Sequence, residues 1–352
     1  MHARRDNPSI PDWLRDRQDS PEPPEMEAPY FDQTLQAWVL SRHRDVLAVL
    51  RDVRAMPASV KSDETTAPAN EELRVRLRAQ TLNVLTPGRL RQWRQALQPE
   101  LDRLLLNLHV GEPVDVLAAY ARPASLALSA IVTGIAQHTA EALCEHARRV
   151  SAHAADPYDD SLRMSSQASH AKLQDGHFQA ECEALRDSTF VAISQTIPCI
   201  LGNAWYALLQ HPEQWRLVHE RPELTEQAVE ELLRYAGLTR LIGREATEDL
   251  DINGYRIGKG QRIILRIIAG NRDPERFPDS DVVDVTRAAA GHLALGAGSH
   301  SCVGASLIRM SLVAITTPLL RRFSSVVLVH PVQWEGGATF QSPQSLWIDL
   351  AL

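Results

Sequence analysis

Gly291-His292-Leu293-Ala294-Leu295-Gly296-Ala297-Gly298-Ser299-His300-Ser301-Cys302-Val303-Gly304 sets one cysteine in a glycine-punctuated loop just ahead of a helical pattern. Glycines at 296, 298 and 304 let the backbone turn tightly and approach a flat macrocycle, and amide donors around a thiolate held there temper its charge. That is one way to present Cys302 to a haem iron. A cysteine in such a loop is also read as a small buried hydrophobe. Taken alone, the loop leaves both readings open.

The chain on either side decides between them. Val229-Glu230-Glu231-Leu232-Leu233-Arg234-Tyr235 has a helical pattern in which Glu231 and Arg234, three apart, share a face. On its own this is one of many surface ion pairs, which contribute little. It is followed by a short sheet segment, the polar loop Asn271-Arg272-Asp273-Pro274-Glu275-Arg276-Phe277-Pro278-Asp279, a coil ending at Arg287, and then the cysteine loop. This ordered series resembles the cytochrome P-450 family, whose E-x-x-R motif and haem-binding signature stand in the same order.

The resemblance runs from about Ala37 to Leu352 and implies the family's fold, mainly α with a minor β-sheet, in a single haem-thiolate domain over residues 1–352. It implies haem b with Cys302 as the axial iron ligand, Gly296, Gly298 and Gly304 framing the cofactor, and Glu231 with Arg234 as a structural pair. Leu295 stands where the family usually has phenylalanine, which alters packing over the sulfur. Two haem propionates need basic partners, because burying their charge alone costs roughly several kcal/mol per ion. Arg74, Arg78, Arg244 and His300 fall where the family places such partners. The other reading of Arg74 and Arg78 is a solvated basic face beside Arg76. Arg309 also matches a family position.

Departures lie in the helix expected to cross the distal face. Leu201 to Gln214 resembles the second half of that helix and its ending, which places the family's A-G-x-[DE]-T-T on Ala192-Ile193-Ser194-Gln195-Thr196-Ile197. Thr196 is kept, the acid becomes Gln195 and the glycine becomes Ile193. In the family the acid and the alcohol relay protons during dioxygen cleavage, and acid-base assistance of this kind is worth ~100- to 10,000-fold. Gln195 hydrogen-bonds water but does not titrate. Ile193 is expected to crowd the oxygen space, and Pro198 to kink the helix by removing a donor. Ala192, Ile193 and Arg240 are the candidate pocket residues, Arg240 being either a strand residue facing solvent or an anchor for an acidic substrate group.

Between Arg122-Pro123 and Thr196 the chain reads as too short for two full roof helices, so a reduced roof is expected, open to a large or carrier-tethered substrate. His146, His153, His170 and His177 in this stretch have seven-residue spacings that suit a solvated helix face better than zinc. Residues 1–35 read as an irregular arm, with Pro21, Pro23, Pro24 and Pro29 opposing helix. Ala37–Leu40 reads as a strand, residues 45–53, 71–108 (broken at Thr86-Pro87-Gly88) and 117–153 as helix, and Asn253-Gly254 as a hairpin turn.

With 352 residues, 44% of them hydrophobic, the chain can bury a large core, and a formal charge of −7 with scattered basic residues argues against nucleic acid as a partner. Four cysteines without a C-x-x-C pair suggest neither zinc nor disulfides and fit a reducing cytoplasm. No run is long enough to span a membrane. The expected activity is oxidation of a specialised metabolite with dioxygen as cosubstrate, electrons arriving from ferredoxin and ferredoxin reductase, through hydroxylation, ring formation or radical coupling. The competing expectations are a haem enzyme that works without redox partners, using peroxide or rearranging its substrate, and a haem- or ligand-binding module without turnover.

Overall fold

The computed structural model describes residues 27–57, 67–157, 159–175, 178–180 and 182–352. Helix α8 (Ile197–Gln210) runs through the middle of the molecule. Ile197, Pro198, Ile200, Gly202, Asn203 and Trp205, spread around its circumference, are all buried, so the helix is surrounded on every side. Tyr120 stacks on Trp205 at 6.2 Å and donates its hydroxyl to Ile315 O at 3.0 Å. The Trp205 indole donates to Thr316 Oγ1 at 3.1 Å, and that of Trp215 to Phe323 O at 3.1 Å. The polar tips of these large buried rings are thus satisfied, as burial requires.

Around this axis lie α1 (His43–Arg51), α2 (Ala67–Val84), α3 (Pro87–Leu106), α4 (Arg122–Thr133), α5 (Gln137–Ala155), α6 (Asp160–Gln174), α7 (Asp187–Val191), α9 (Pro212–Glu220), α10 (Thr225–Ala236), α11 (Ile267–Asn271) and α12 (Ala305–Arg322). The expected break at residues 86–88 is present. Thr86 caps α3 by accepting from Arg89 N at 3.3 Å, with Pro87 at its first position. The helix expected over 117–153 is in fact three pieces. A π turn (Leu117–Ala121) leads into α4, which ends at Gly134 in the left-handed region (φ 69°), and α5 starts afresh at Gln137.

The main sheet has the order β1 (Tyr30–Asp32), β2 (Ala37–Leu40), β8 (Arg262–Arg266), β5 (Leu241–Ala246), β3 (Ala55–Pro57), with β2 and β8 parallel. The arm expected to be irregular therefore contributes an edge strand at its end, whereas residues 1–26 lie outside the described residues. Strands β6 (Leu250–Ile252) and β7 (Tyr255–Ile257) form the hairpin expected from Asn253-Gly254, both turn residues having positive φ. A three-stranded sheet joins β4 (Val114–Asp115), β12 (Trp347–Ala351) and β9 (Ser325–Leu328), and a last hairpin pairs β10 (Trp334–Gly336) with β11 (Gln341–Pro343). No helix among the described residues is long and apolar enough to cross a membrane.

Candidate active site

Glu231 and Arg234 form no surface pair. Both side chains are wholly buried, and all five guanidinium hydrogens of Arg234 are used. Two go to the Glu231 carboxylate at 2.7 and 2.8 Å, and three to the carbonyls of Asn271, Ser280 and Val282 at 2.8, 2.9 and 3.3 Å. Glu231 in turn accepts from Asp284 N and Arg287 Nε, each at 3.1 Å. Arg287 also donates to Pro278 O and Asp279 O. One ion pair on α10 thus ties down the polar loop and the coil that lead to Cys302.

The cysteine loop is fixed from its other end by a second network. Glu230 accepts from Arg309 on α12 at 2.5 and 3.0 Å and pairs with the His292 ring at 3.2 Å. Burial pushes the Glu230 carboxyl up, but the bonds from His292 and Arg309 outweigh it and bring the group down to about 2. Asn271 Oδ1 accepts from Leu293 N at 2.6 Å. Glu230 and His292 did not stand out in the sequence as site residues; the only signal was a carboxylate beside the E-x-x-R motif.

Within the loop, Cys302 N donates to Leu295 O at 2.8 Å and Ser301 N to Gly298 O at 3.1 Å. Gly296 and Gly298 have φ of 68° and 71°. A Cβ on Gly298 would lie 2.3 Å from Leu50 O, so only glycine lets the loop pack on the end of α1. A Cβ on Gly304 would stand 3.9 Å from Cys302 Sγ, at ordinary van der Waals contact, so this glycine lies directly beside the sulfur. Burial raises the Cys302 thiol, while the Gly304 amide and the charges of Arg78 and Arg309 act the other way. Leu295 packs against the main core.

Three arginines and a histidine gather beside this loop. Arg78 donates to Ser301 O at 2.6 Å and Ser301 Oγ at 2.9 Å, and Arg74 to Ser299 O at 3.2 Å. Arg74 is also paired with Glu71, at 2.7 and 2.5 Å. His300 is lowered by burial and by the charges of Arg74, Arg244 and Arg78, with Glu71 opposing. Arg244, on β5, is 6% exposed and donates to Gly243 O at 3.0 Å, yet has no carboxylate partner among the described residues. Burial alone lowers its pKa. A buried guanidinium without an anion is costly. A haem fits this donor set: a cysteine sulfur with a glycine beside it, and a rim of three arginines and a histidine with a single carboxylate among them, needing further negative charge.

The distal segment Ala192–Thr196 is a second π turn, between α7 and α8. Pro198 has no N–H to offer the Ser194 carbonyl, and the turn just before it is widened. The Gln195 amide nitrogen donates to Ser194 Oγ at 3.2 Å and lies 3.6 Å from Cys144 Sγ on α5. Ile193 is buried among the residues of the main core. Ala192 and Thr196, four apart, share the accessible face, Ala192 exposed and Thr196 half-buried. The Thr196 hydroxyl has no hydrogen-bond partner among the described residues, whereas Thr133 and Thr317 bond back to their own helices at 2.6 Å.

Above this turn, the stretch that read as too short for two roof helices holds two, α5 and α6, packed on each other. His146 lies 3.4 Å from Ser169 Oγ across them, and His177 falls outside the described residues. No group of three metal-ligating side chains occurs among the described residues. The backbone of Arg240 is clamped: its N–H donates to Thr339 O at 2.8 Å and its carbonyl accepts from Ile267 N at 2.9 Å.

A family model described as cytochrome P-450 matches residues 113–333. Nocardicin C N-oxygenase of Nocardia uniformis subsp. tsuyamanensis is 30% identical over 88% of this chain and 88% of its own length. Mycinamicin IV hydroxylase/epoxidase of Micromonospora griseorubida is 28% identical over 88% and 89%. Among solved structures, P450BioI in complex with hexadec-9Z-enoic acid ligated acyl carrier protein superposes with a TM-score of 0.79 at 24% identity, covering 89% of this chain and 91% of that one.

Proposed function

The chain belongs to the cytochrome P-450 family, a monooxygenase family that uses haem b and dioxygen, and from that premise we propose that it oxidises a specialised metabolite through a distal site built on Thr196 without an acidic partner. The haem, ligated by the Cys302 thiolate, supplies the iron at which dioxygen is reduced and cleaved. Arg244, with Arg78, Arg74 and His300, holds the propionates, and Arg244 contributes most because its charge has no other partner. Glu231, Arg234 and Arg287 hold the loop so that Cys302 stays oriented. Thr196 holds a water or proton on the face it shares with Ala192, and Gln195 serves only to fasten the turn to α5.

The observation that carries this reading is the Thr196 hydroxyl, free on the accessible face while Gln195 is tied to Cys144 and Ser194. Relatives that act on nocardicin C and mycinamicin IV support a specialised-metabolite substrate. The acyl carrier protein bound to P450BioI supports a carrier-tethered one, and the electron supply in this reading is ferredoxin with its reductase. A second reading is favoured by the same tied amide. With no acid beside Thr196, the enzyme uses peroxide, which already carries the reducing equivalents and protons that dioxygen lacks.

The test is a carbon monoxide difference spectrum of the reduced protein beside Cys302→Ser, followed by turnover of candidate substrates with NADPH and redox partners or with peroxide alone. A red-shifted Soret band lost in the variant supports thiolate ligation. Product formed only with NADPH and partners supports the dioxygen route, and product with peroxide alone supports the second. A Soret band at the position of ordinary haem proteins in the wild type would overturn the assignment of Cys302.

A further inference from the structure

We propose that Gly337 and Asp156 set the size limit of the distal chamber: the corner of the roof, where α5 gives way to α6, rests on the tip of the β10–β11 hairpin at a residue with no side chain. The inference rests on the reading above, that the space beside Thr196 receives the substrate, and takes the candidate pocket residue Arg240 as a second border of that space. A Cβ built on Gly337 would meet Asp156 Cβ at 2.4 Å and Ala155 O at 2.7 Å, both far inside ordinary contact. The Thr339 N–H, two residues along the tip, donates to the same Ala155 carbonyl at 3.0 Å. On the other side, the Thr339 carbonyl accepts from Arg240 N at 2.8 Å, and Phe340 bridges to Thr239. Three residues of the hairpin tip, Gly337, Thr339 and Phe340, therefore link the roof to the segment taken to border the chamber.

The hairpin is the fixed partner in this contact. Trp334 stands edge-on to Tyr206 of α8 at 5.2 Å. Asn203, also on α8, donates to Gln341 O at 3.0 Å, and Gln341 and Ser342 are buried. The roof corner carries the end of α5 and is the side that gives way. A methyl group at 337 needs about 1 Å more room to reach ordinary contact, and the close-packed interior supplies none without a shift. Lifting the corner parts the roof from Arg240 and admits bulkier molecules, while the iron side of the chamber is unchanged.

The experiment uses the full-length haem-loaded ferric protein, titrated with imidazole and with clotrimazole, an imidazole carrying three aryl rings, and followed by the Soret shift. Gly337→Ala is expected to tighten clotrimazole about fivefold and to move imidazole less than about twofold. Asp156→Gly, which removes the opposing Cβ and lets the corner settle, is expected to weaken clotrimazole by a similar factor. The double variant returns the ratio of the two affinities toward the wild-type value, a reversal that general damage to the haem site does not produce. Should Gly337→Ala load no haem, Asp156→Gly decides by itself. An unchanged ratio in whichever single variants load haem overturns the size limit. If imidazole produces no Soret shift in the haem-loaded wild type, the assignment of the distal chamber fails and the size limit with it; a shift with an unchanged ratio sinks the size limit alone.

Discussion

The two sides of the proposed haem site are built by opposite rules. On the Cys302 side the principal polar groups are matched to partners: five donors on Arg234, Arg309 and the His292 ring on Glu230, backbone bonds through residues 293–302. On the Thr196 side the helix is widened, the one hydroxyl on the accessible face is unbonded, and the amide that replaces an acid is turned toward α5. The difference separates the two tasks. Holding a sulfur at fixed distance and angle calls for an over-determined frame, whereas a surface that meets a changing ligand and solvent must leave a group uncommitted.

If the Cys302 side is a frame, its centre should be the costliest place to cut. Arg234→Ala leaves buried Glu231 with only Arg287 and the Asp284 amide and strips three carbonyls of their donor, so it should cost about 3–5 kcal/mol or prevent haem loading altogether. The urea midpoint and the haem-to-protein ratio measure it. Arg244→Leu sharpens the comparison by its sign. In haem-free protein it removes an unpaired buried charge and should raise the urea midpoint, whereas in loaded protein it should weaken haem retention, read by transfer to apomyoglobin. A fall in both, or a rise in both, would deny Arg244 its anion-holding role.

The Thr196 side should respond the other way. Thr196→Ala removes no intramolecular bond, so stability should change by under about 0.5 kcal/mol, while the fraction of NADPH oxidised that yields product, rather than hydrogen peroxide, should fall. A destabilisation as large as that of a core residue would show that the hydroxyl has a structural bond after all. Gln195→Glu should not restore coupling, because the new carboxylate would face Cys144 and Ser194.

The remaining effect expected is pH-linked. Glu230 is held near 2 in the folded protein against an ordinary value of 4.5, so its contribution is present above about 4.5 and is lost as pH falls toward 2. Glu230→Gln should flatten the slope of stability against pH in that window, and an unchanged slope would assign the slope to other carboxylates.

The cysteine loop, the E-x-x-R pair and the helical frame were legible in the sequence because each depends on local spacing: glycines at fixed offsets, charges three apart, an Asn-Gly turn. Burial of Glu231 with Arg234 was not legible, since the carbonyls that satisfy Arg234 come from residues 37 to 48 positions away. Register placed Ile193 and Gln195 on the distal helix, but the contacts their side chains make were not legible. A π turn adds a residue to the helical cycle and rotates the side chains around it, so a face read at 3.6 residues per turn is wrong there. The break at Gly134 was missed for a different reason: apolar periodicity continued across a residue whose left-handed conformation ends the helix.

The π turns at Leu117–Ala121 and Ala192–Thr196 each end two residues before a proline, Pro123 and Pro198, and each packs against the helix that follows the other. The run from Asp187 to Gln210 therefore is not one cooperative rod. Hydrogen exchange should resolve it into two units, amides of α8 opening only with the whole core and those of α7 opening with the roof. Slow breathing of the chamber can then proceed without loosening the helix on which the rest of the molecule is folded.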